Sequence, residues 1–297
     1  MDGAQPKTRN RTDAGVLYVV STPIGNLEDI TLRALRILKE ADLIAAEGVE
    51  LTRGLCRHFG IRTRLTSYNQ NNRGRKEPEI LSRLRAGRDV ALVTCAGTPG
   101  VSDPGSMLIH RAAAEGMTVV AIPGPCAAVT ALSASGLRSD GFLFAGFLSS
   151  RPGRRRKEIQ RLASEERTLV FYEAPHRVRA MVIDLRDVLG DRKAALAREL
   201  TKVHEEVLRG TLSEILNDLN EDRTRGEMTV VVEGAAPKPA SAAPDLDAEL
   251  VGRIEALLDR PDLSLRDVAE KLALERGGGY RHIYKMCLAV REAAESP

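Results

Sequence analysis

Nothing in this chain approaches the roughly 20 consecutive apolar residues of a bilayer-spanning helix, and no charged-then-apolar leader stands at the N-terminus. That pattern excludes a helical membrane span, and a cytoplasmic protein is expected. Cysteine is scarce and scattered. Cys56, Cys95, Cys126 and Cys287 show no CxxC spacing and are read as reduced, structural thiols. Cys56 and His58 stand close together, but nothing nearby completes a zinc set, so no metal is expected. There is no internal repeat. The net charge of +3 is too small to define a nucleic-acid binder by itself. Its distribution says more: Arg151, Arg154, Arg155, Arg156 and Lys157 form one dense basic cluster, and Arg73, Arg75 and Lys76 another.

What is present describes a soluble globular protein, with 43% hydrophobic and 29% charged residues. The 297 residues are enough for two domains with an appendage. The most informative stretch is Asp89–Gly105, where the apolar run Val90–Val93 breaks into Gly97-Thr98-Pro99-Gly100 and then Ser102-Asp103-Pro104-Gly105. It reads as a buried strand and a rigid loop whose glycines let a ligand approach the backbone. Val16–Thr31 and Val119–Ala131 repeat that design. Loops of this kind at the carboxyl ends of parallel strands are where open α/β sheets bind ligands, so the three predict one composite small-molecule site.

Alternating strand and helix signals divide the chain. Residues 1–14 are a polar arm and 15–124 a doubly wound parallel α/β domain. Residues 125–234 form a second α/β domain, 235–245 a Pro/Ala linker, and 246–297 a helical extension with helix-turn-helix proportions. Helices are expected at Ile30–Lys39, Glu77–Ala86, Ser106–Glu115, Ala127–Ser135, Arg155–Ser164 and Arg177–Leu189, with another capped by Thr211. Arg281, His282 and Lys285 line the start of the last helix.

Five blocks occur in order: STPIGNLEDIT, AGTPGVSDPG, PGPCAA, FYEAPHRV and ARELTKVHEE. Through them the chain resembles the tetrapyrrole methylase superfamily, and within it the branch that 2′-O-methylates a cytidine in the decoding region of 16S rRNA. The resemblance covers about residues 15–235 and, less sharply, the C-terminal helices. It implies a homodimer of two α/β domains with S-adenosylmethionine in the cleft between them, acting on the small ribosomal subunit. On that basis Gly97, Thr98, Pro99 and Ser102 cradle the cofactor, and Pro23, Ala127, Ala128 and Tyr172 are further walls. A sulfonium ligand calls for carbonyls and apolar walls rather than phosphate-cradling amides. A ribose hydroxyl is a poor nucleophile, so a positioned base would help. Glu47, Glu173, His176, Glu199 and His204 are candidates. Each carboxylate can equally serve as a helix cap or an ion-pair partner, Glu199 with Arg198 or Lys202 for example. Arg73, Arg75, Arg154, Arg155, Arg156 and Lys157 are the candidate RNA contacts.

The chain departs from the family pattern in a cluster. Where the family reads AEDTR this sequence has Ala46-Glu47-Gly48-Val49-Glu50, and where it reads SYHEHN this sequence has Ser67-Tyr68-Asn69-Gln70-Asn71-Asn72. Thr94 and Cys95 replace the Ser-Asp that precedes AGTPG. All three segments follow first-domain strands, so in a parallel sheet they face one edge. Asn and Gln keep hydrogen-bonding capacity but cannot take a proton at neutral pH. Three readings therefore stand: an active rRNA methyltransferase, a divergent relative with weakened or lost transfer that binds RNA, ribosomes or a protein partner, and a methylase of a small molecule. The basic clusters and the helical extension count against the last.

Overall fold

The computed structural model describes residues 14–220, 222–236, 248–276 and 280–295. The chain forms two compact units, 1–235 and 236–297. The expected arm and most of the expected linker lie outside the described residues.

The first half of unit one runs β1 (Leu17–Val20), α1 (Leu32–Glu40), β2 (Leu43–Ala46), α2 (Val49–His58), β3 (Leu65–Ser67), α3 (Arg73–Arg85), β4 (Val90–Val93), α4 (Ser106–Ala114) and β5 (Val119–Ile122). The strands pair in the order β3-β2-β4-β1-β5, and every pairing is parallel. That is the doubly wound sheet expected from the sequence. Strands β2 and β4 are buried along their whole length, as continuous apolar runs in the middle of a parallel sheet must be.

Parallel pairing puts the loops after β1, β4 and β5 on one edge, and hydrogen bonds tie them together. Thr22 and Gly97 exchange backbone bonds of 2.9 and 3.0 Å. The Thr98 hydroxyl donates to the Pro125 carbonyl at 3.0 Å and lies 2.9 Å from the Ser21 hydroxyl. The three loops singled out in the sequence thus form one platform.

Two helices of this half depart most from expectation. Helix α2 is hidden in the sequence because Gly54 interrupts its pattern, yet Thr52, Leu55 and Cys56 share its buried face. Helix α3 begins before the expected Glu77. Asn72 Oδ1 accepts the Asn69 N–H at 2.9 Å, Asn69 Oδ1 accepts the Asn71 and Asn72 N–H groups, and both amides donate to Ser67 Oγ. This closed turn starts the helix upstream of Pro78, which cannot donate to Gly74. Asn69, an altered position, and Asn72, which keeps the family's residue, therefore carry a local structural load.

The second half runs α5 (Ala127–Ser135), β6 (Phe142–Phe147), α6 (Pro152–Gln160), β7 (Thr168–Glu173), α7 (Pro175–Leu189), β8 (Lys193–Arg198), β9 (Glu206–Thr211), α8 (Leu212–Asp218) and β10 (Met228–Val232). Its sheet is mixed, in the order β6-β7-β10-β8-β9, with β6 and β7 parallel and the other pairings antiparallel. Thr211 caps α8 as expected, in a reciprocal box with Glu214. Helix α6 starts at Pro152 rather than Arg155, since proline suits the first helical turn.

Unit two contains α9 (Ala248–Leu258), α10 (Leu265–Arg276) and α11 (Tyr280–Glu295). Leu250, Ile254, Val268, Leu272, Ile283, Met286 and Val290 form its core. Ser264 and Asp267 cap α10 reciprocally. Gly277–Gly279, the expected turn between α10 and α11, lies outside the described residues.

Candidate active site

A cavity of about 450 Å³ opens at the platform edge, within the span of ligand-binding pockets. Of the expected cofactor residues, Gly97, Thr98, Ser102, Ala127 and Tyr172 line it. Pro23 instead lines an adjoining hollow of about 280 Å³ that shares Ile24, Cys95, Ala96 and Glu227 with the first. Pro99 is buried beneath the loop and reaches neither space. Ala128 is also buried; its N–H donates to Tyr172 Oη at 3.0 Å and so orients that ring. Gly97 is left-handed at φ 79°, a conformation that glycine adopts without strain and that turns the chain along the cavity wall.

The candidate bases separate. Glu47 and Glu173 line the cavity; His176, Glu199 and His204 do not. Glu173 is spent, because its carboxylate accepts the Ala174 N–H at 2.8 Å and Arg177 Nη2 at 3.1 Å while its side chain is fully buried. Glu199 pairs with Lys202 at 2.9 Å and accepts the Glu227 N–H at 2.9 Å, the ion-pair alternative raised from sequence. His176 and His204 are exposed on the surface. Glu47 Oε2 accepts the Cys95 N–H at 3.1 Å, holding the ends of β2 and β4 together.

Asp103 is not among the expected candidates, yet it lines the cavity beside Ser102. Burial, reinforced by the charge of Glu47, pushes its pKa up to about 7. The sequence carries no signal for this, since the groups responsible converge only in the fold. Burial and the nearby carboxylates Glu47, Asp103 and Glu227 likewise push the Cys95 thiol up to about 11, so it is neutral. The lining carries Glu47, Asp103, Glu173 and Glu227 but neither lysine nor arginine. Such a site suits a cation and rejects a phosphate. Among the described residues no cluster of three or more His, Cys, Asp or Glu could hold a metal.

The departures from the family pattern interlock. A Cβ at Gly48 would meet Cys95 Sγ at 2.7 Å, so the small residue at one position accommodates the sulfur at the other. An aspartate at position 95 would add a charge to a cluster that already holds Asp103 partly protonated. Cys95→Asp should therefore raise the Asp103 pKa further, a shift read by NMR titration of its carboxyl. An unmoved midpoint would show that a charge at position 95 does not reach that group.

Of the expected RNA contacts, one is turned inward. Arg155 is buried and pairs with Asp184 at 2.6 Å, which removes it from any RNA face. Arg154 is exposed and pairs with Glu158, Arg156 is held by Asp184 and Asp187, and Lys157 is exposed. Arg75 is exposed and Arg73 half-buried at the start of α3.

The family model of the Tetrapyrrole (Corrin/Porphyrin) Methylases matches residues 16–216, and the chain belongs to that family. It is 43% identical over 277 residues to the Ribosomal RNA small subunit methyltransferase I of Synechocystis sp., covering 92% of this chain and 98% of that protein. A relative of the same name from Halalkalibacterium halodurans is 46% identical over 234 residues, covering 79% of this chain and 81% of its own. The fold is also that of the Thermus thermophilus uroporphyrin-III C-methyltransferase solved with S-adenosyl homocysteine. That match has a TM-score of 0.54 at 22% identity, over 74% of this chain and 97% of the other.

Proposed function

We propose that this protein transfers a methyl group from S-adenosylmethionine to 16S rRNA of the small ribosomal subunit, at the 2′-hydroxyl of a cytidine in the decoding region. The relatives at 43% and 46% identity are named for small-subunit rRNA methylation. The observation that carries the chemistry is the cavity itself: Gly/Pro loops and a tyrosine wall, carboxylates without a lysine or arginine, and Asp103 poised near neutrality.

That donor set fits a cationic sulfonium. When bound, the cofactor supplies an electrophilic methyl group. Gly97, Thr98, Ala127 and Tyr172 would hold it, with Pro23, Pro99 and Ala128 supporting the loops around it. The protein's contribution is then to position the acceptor oxygen, to exclude water and to take a proton. Asp103 is the group best suited to accept that proton, since a base matched to the working pH combines ionisation with proton affinity. Below pH 7 it is increasingly protonated and unable to act; above, it is a carboxylate, so the rate should rise with pH and then level off.

The divergent, inactive reading loses support on two counts. Asn69, one of the altered positions, serves a local turn, and the cavity keeps a proton acceptor despite the alterations. Arg73, Arg75, Arg154, Arg156 and Lys157 remain the residues offered to rRNA phosphates, and the protein is read as a homodimer. Incubation with labelled cofactor and unmethylated small subunits, followed by nucleoside analysis, tests the proposal. It predicts 2′-O-methylcytidine as the labelled product. Label on a base, or on no nucleotide of the small subunit, would refute it.

A further inference from the structure

Aromatic residues are few: five Phe, five Tyr and no Trp in 297 residues. Among the described residues the exposed large aromatics are Phe142, Phe147 and Tyr280, and of these Phe147 lines the cavity. It closes β6 and is 56% exposed.

Its aim depends on a local irregularity. In an unbroken strand Phe144 and Phe147, an odd number of residues apart, would point to opposite faces. Here Phe144 pairs with Val170, but Gly146 pairs with Phe171 and Phe147 with Tyr172, so Ala145 is an extra residue and the register shifts. The bulge returns Phe147 to the face of Phe144, and both rings reach Tyr172, with centroids 4.9 and 5.6 Å away. Gly146 makes the bulge feasible. It is left-handed at φ 64°, and a Cβ there would stand 2.9 Å from Ser102 Oγ in the loop that carries Asp103. The same bulge therefore aims the phenyl ring into the cavity and seats the loop of the candidate base.

We infer that Phe147 is a stacking platform for the nucleobase of the nucleotide being methylated, an inference that rests on the function proposed above. A nucleotide acted on inside a cavity must leave its stack, and a flipped or single-stranded base is commonly received on an aromatic face. Tyr172 is held inside the cavity by Ala128, whereas Phe147 stands at the rim, still open to solvent. Deeper walls suit the cofactor; the rim meets what arrives from outside. Stacking is sequence-tolerant, so Phe147 positions the nucleotide, and its choice is left to other contacts.

The test uses the full-length protein, with Phe147→Leu removing the ring but keeping apolar bulk, and Phe147→Tyr restoring it. Methyl transfer to unmethylated small subunits is measured beside calorimetric cofactor affinity and melting temperature. Phe147→Leu should lower kcat/KM for subunits by about 5- to 150-fold, the span for loss of one base–aromatic stack. Phe147→Tyr should recover most of that activity, with cofactor affinity and melting temperature unchanged in both. Wild-type turnover in Phe147→Leu overturns the inference. So does a parallel fall in cofactor affinity, which would make the ring a cofactor wall. A wild-type protein that methylates no small subunit overturns the functional reading, and this inference with it, before any variant is compared.

Discussion

Asp103→Asn should lower the rate of methyl transfer by about 10²–10⁴-fold, the usual contribution of a positioned general base. Asparagine keeps the shape and hydrogen-bonding capacity of the side chain but cannot take a proton near pH 7. Burial, with Glu47 behind it, holds the native carboxyl near that pH, so the wild-type rate should climb through pH 7. The residual activity of Asp103→Asn should lose that dependence. Because Asp103 faces a cavity without lysine or arginine, its charge also favours a cationic ligand. Calorimetry separates the two contributions: cofactor binding near the wild-type level with slow transfer assigns Asp103 to proton removal. A loss confined to affinity would assign it to holding the sulfonium.

Arg155→Ala should destabilise the protein by about 3–5 kcal/mol in urea unfolding, the cost of leaving one member of a buried ion pair alone. Arg155 and Asp184 join α6 to α7 over the second core, with both side chains at least 92% buried and 2.6 Å apart. Arg156, half-exposed in the same cluster, can partly compensate through its 3.4 Å approach to Asp184. A loss below about 1 kcal/mol, typical of a surface pair, would show that Arg156 takes over the interaction. Neutralising Arg154 and Lys157, which point to solvent, should leave stability almost untouched.

Asp103 and Arg155 mark where the sequence stops being legible. The Gly/Pro loops after β1, β4 and β5 are legible because a cluster of turn residues directly after a short apolar run almost always ends a strand. Parallel pairing then requires the three loops to share an edge. Thr211 is legible as a cap for the same local reason. Arg155 misleads because a basic run reads as surface, and only the packing of α6 on α7 turns one member inward. Asp103 escapes notice because its altered acidity depends on burial and on Glu47, which is remote in the chain. Phe147 depends on a bulge, and one extra residue in a strand leaves little trace in an apolar sequence. Glu173 lines the cavity, as its place after an apolar run suggests, but its commitment to Ala174 and Arg177 is visible only in the fold.

Everything proposed for this protein rests on the loops after β1, β4 and β5 building a cleft for a sulfonium cofactor. Calorimetric titration of the purified protein with S-adenosylmethionine tests that most directly. Saturable binding that weakens when Thr98 is replaced by a bulkier residue is the predicted result. No binding by the wild-type protein, even at millimolar cofactor, would contradict the assignment of the cleft.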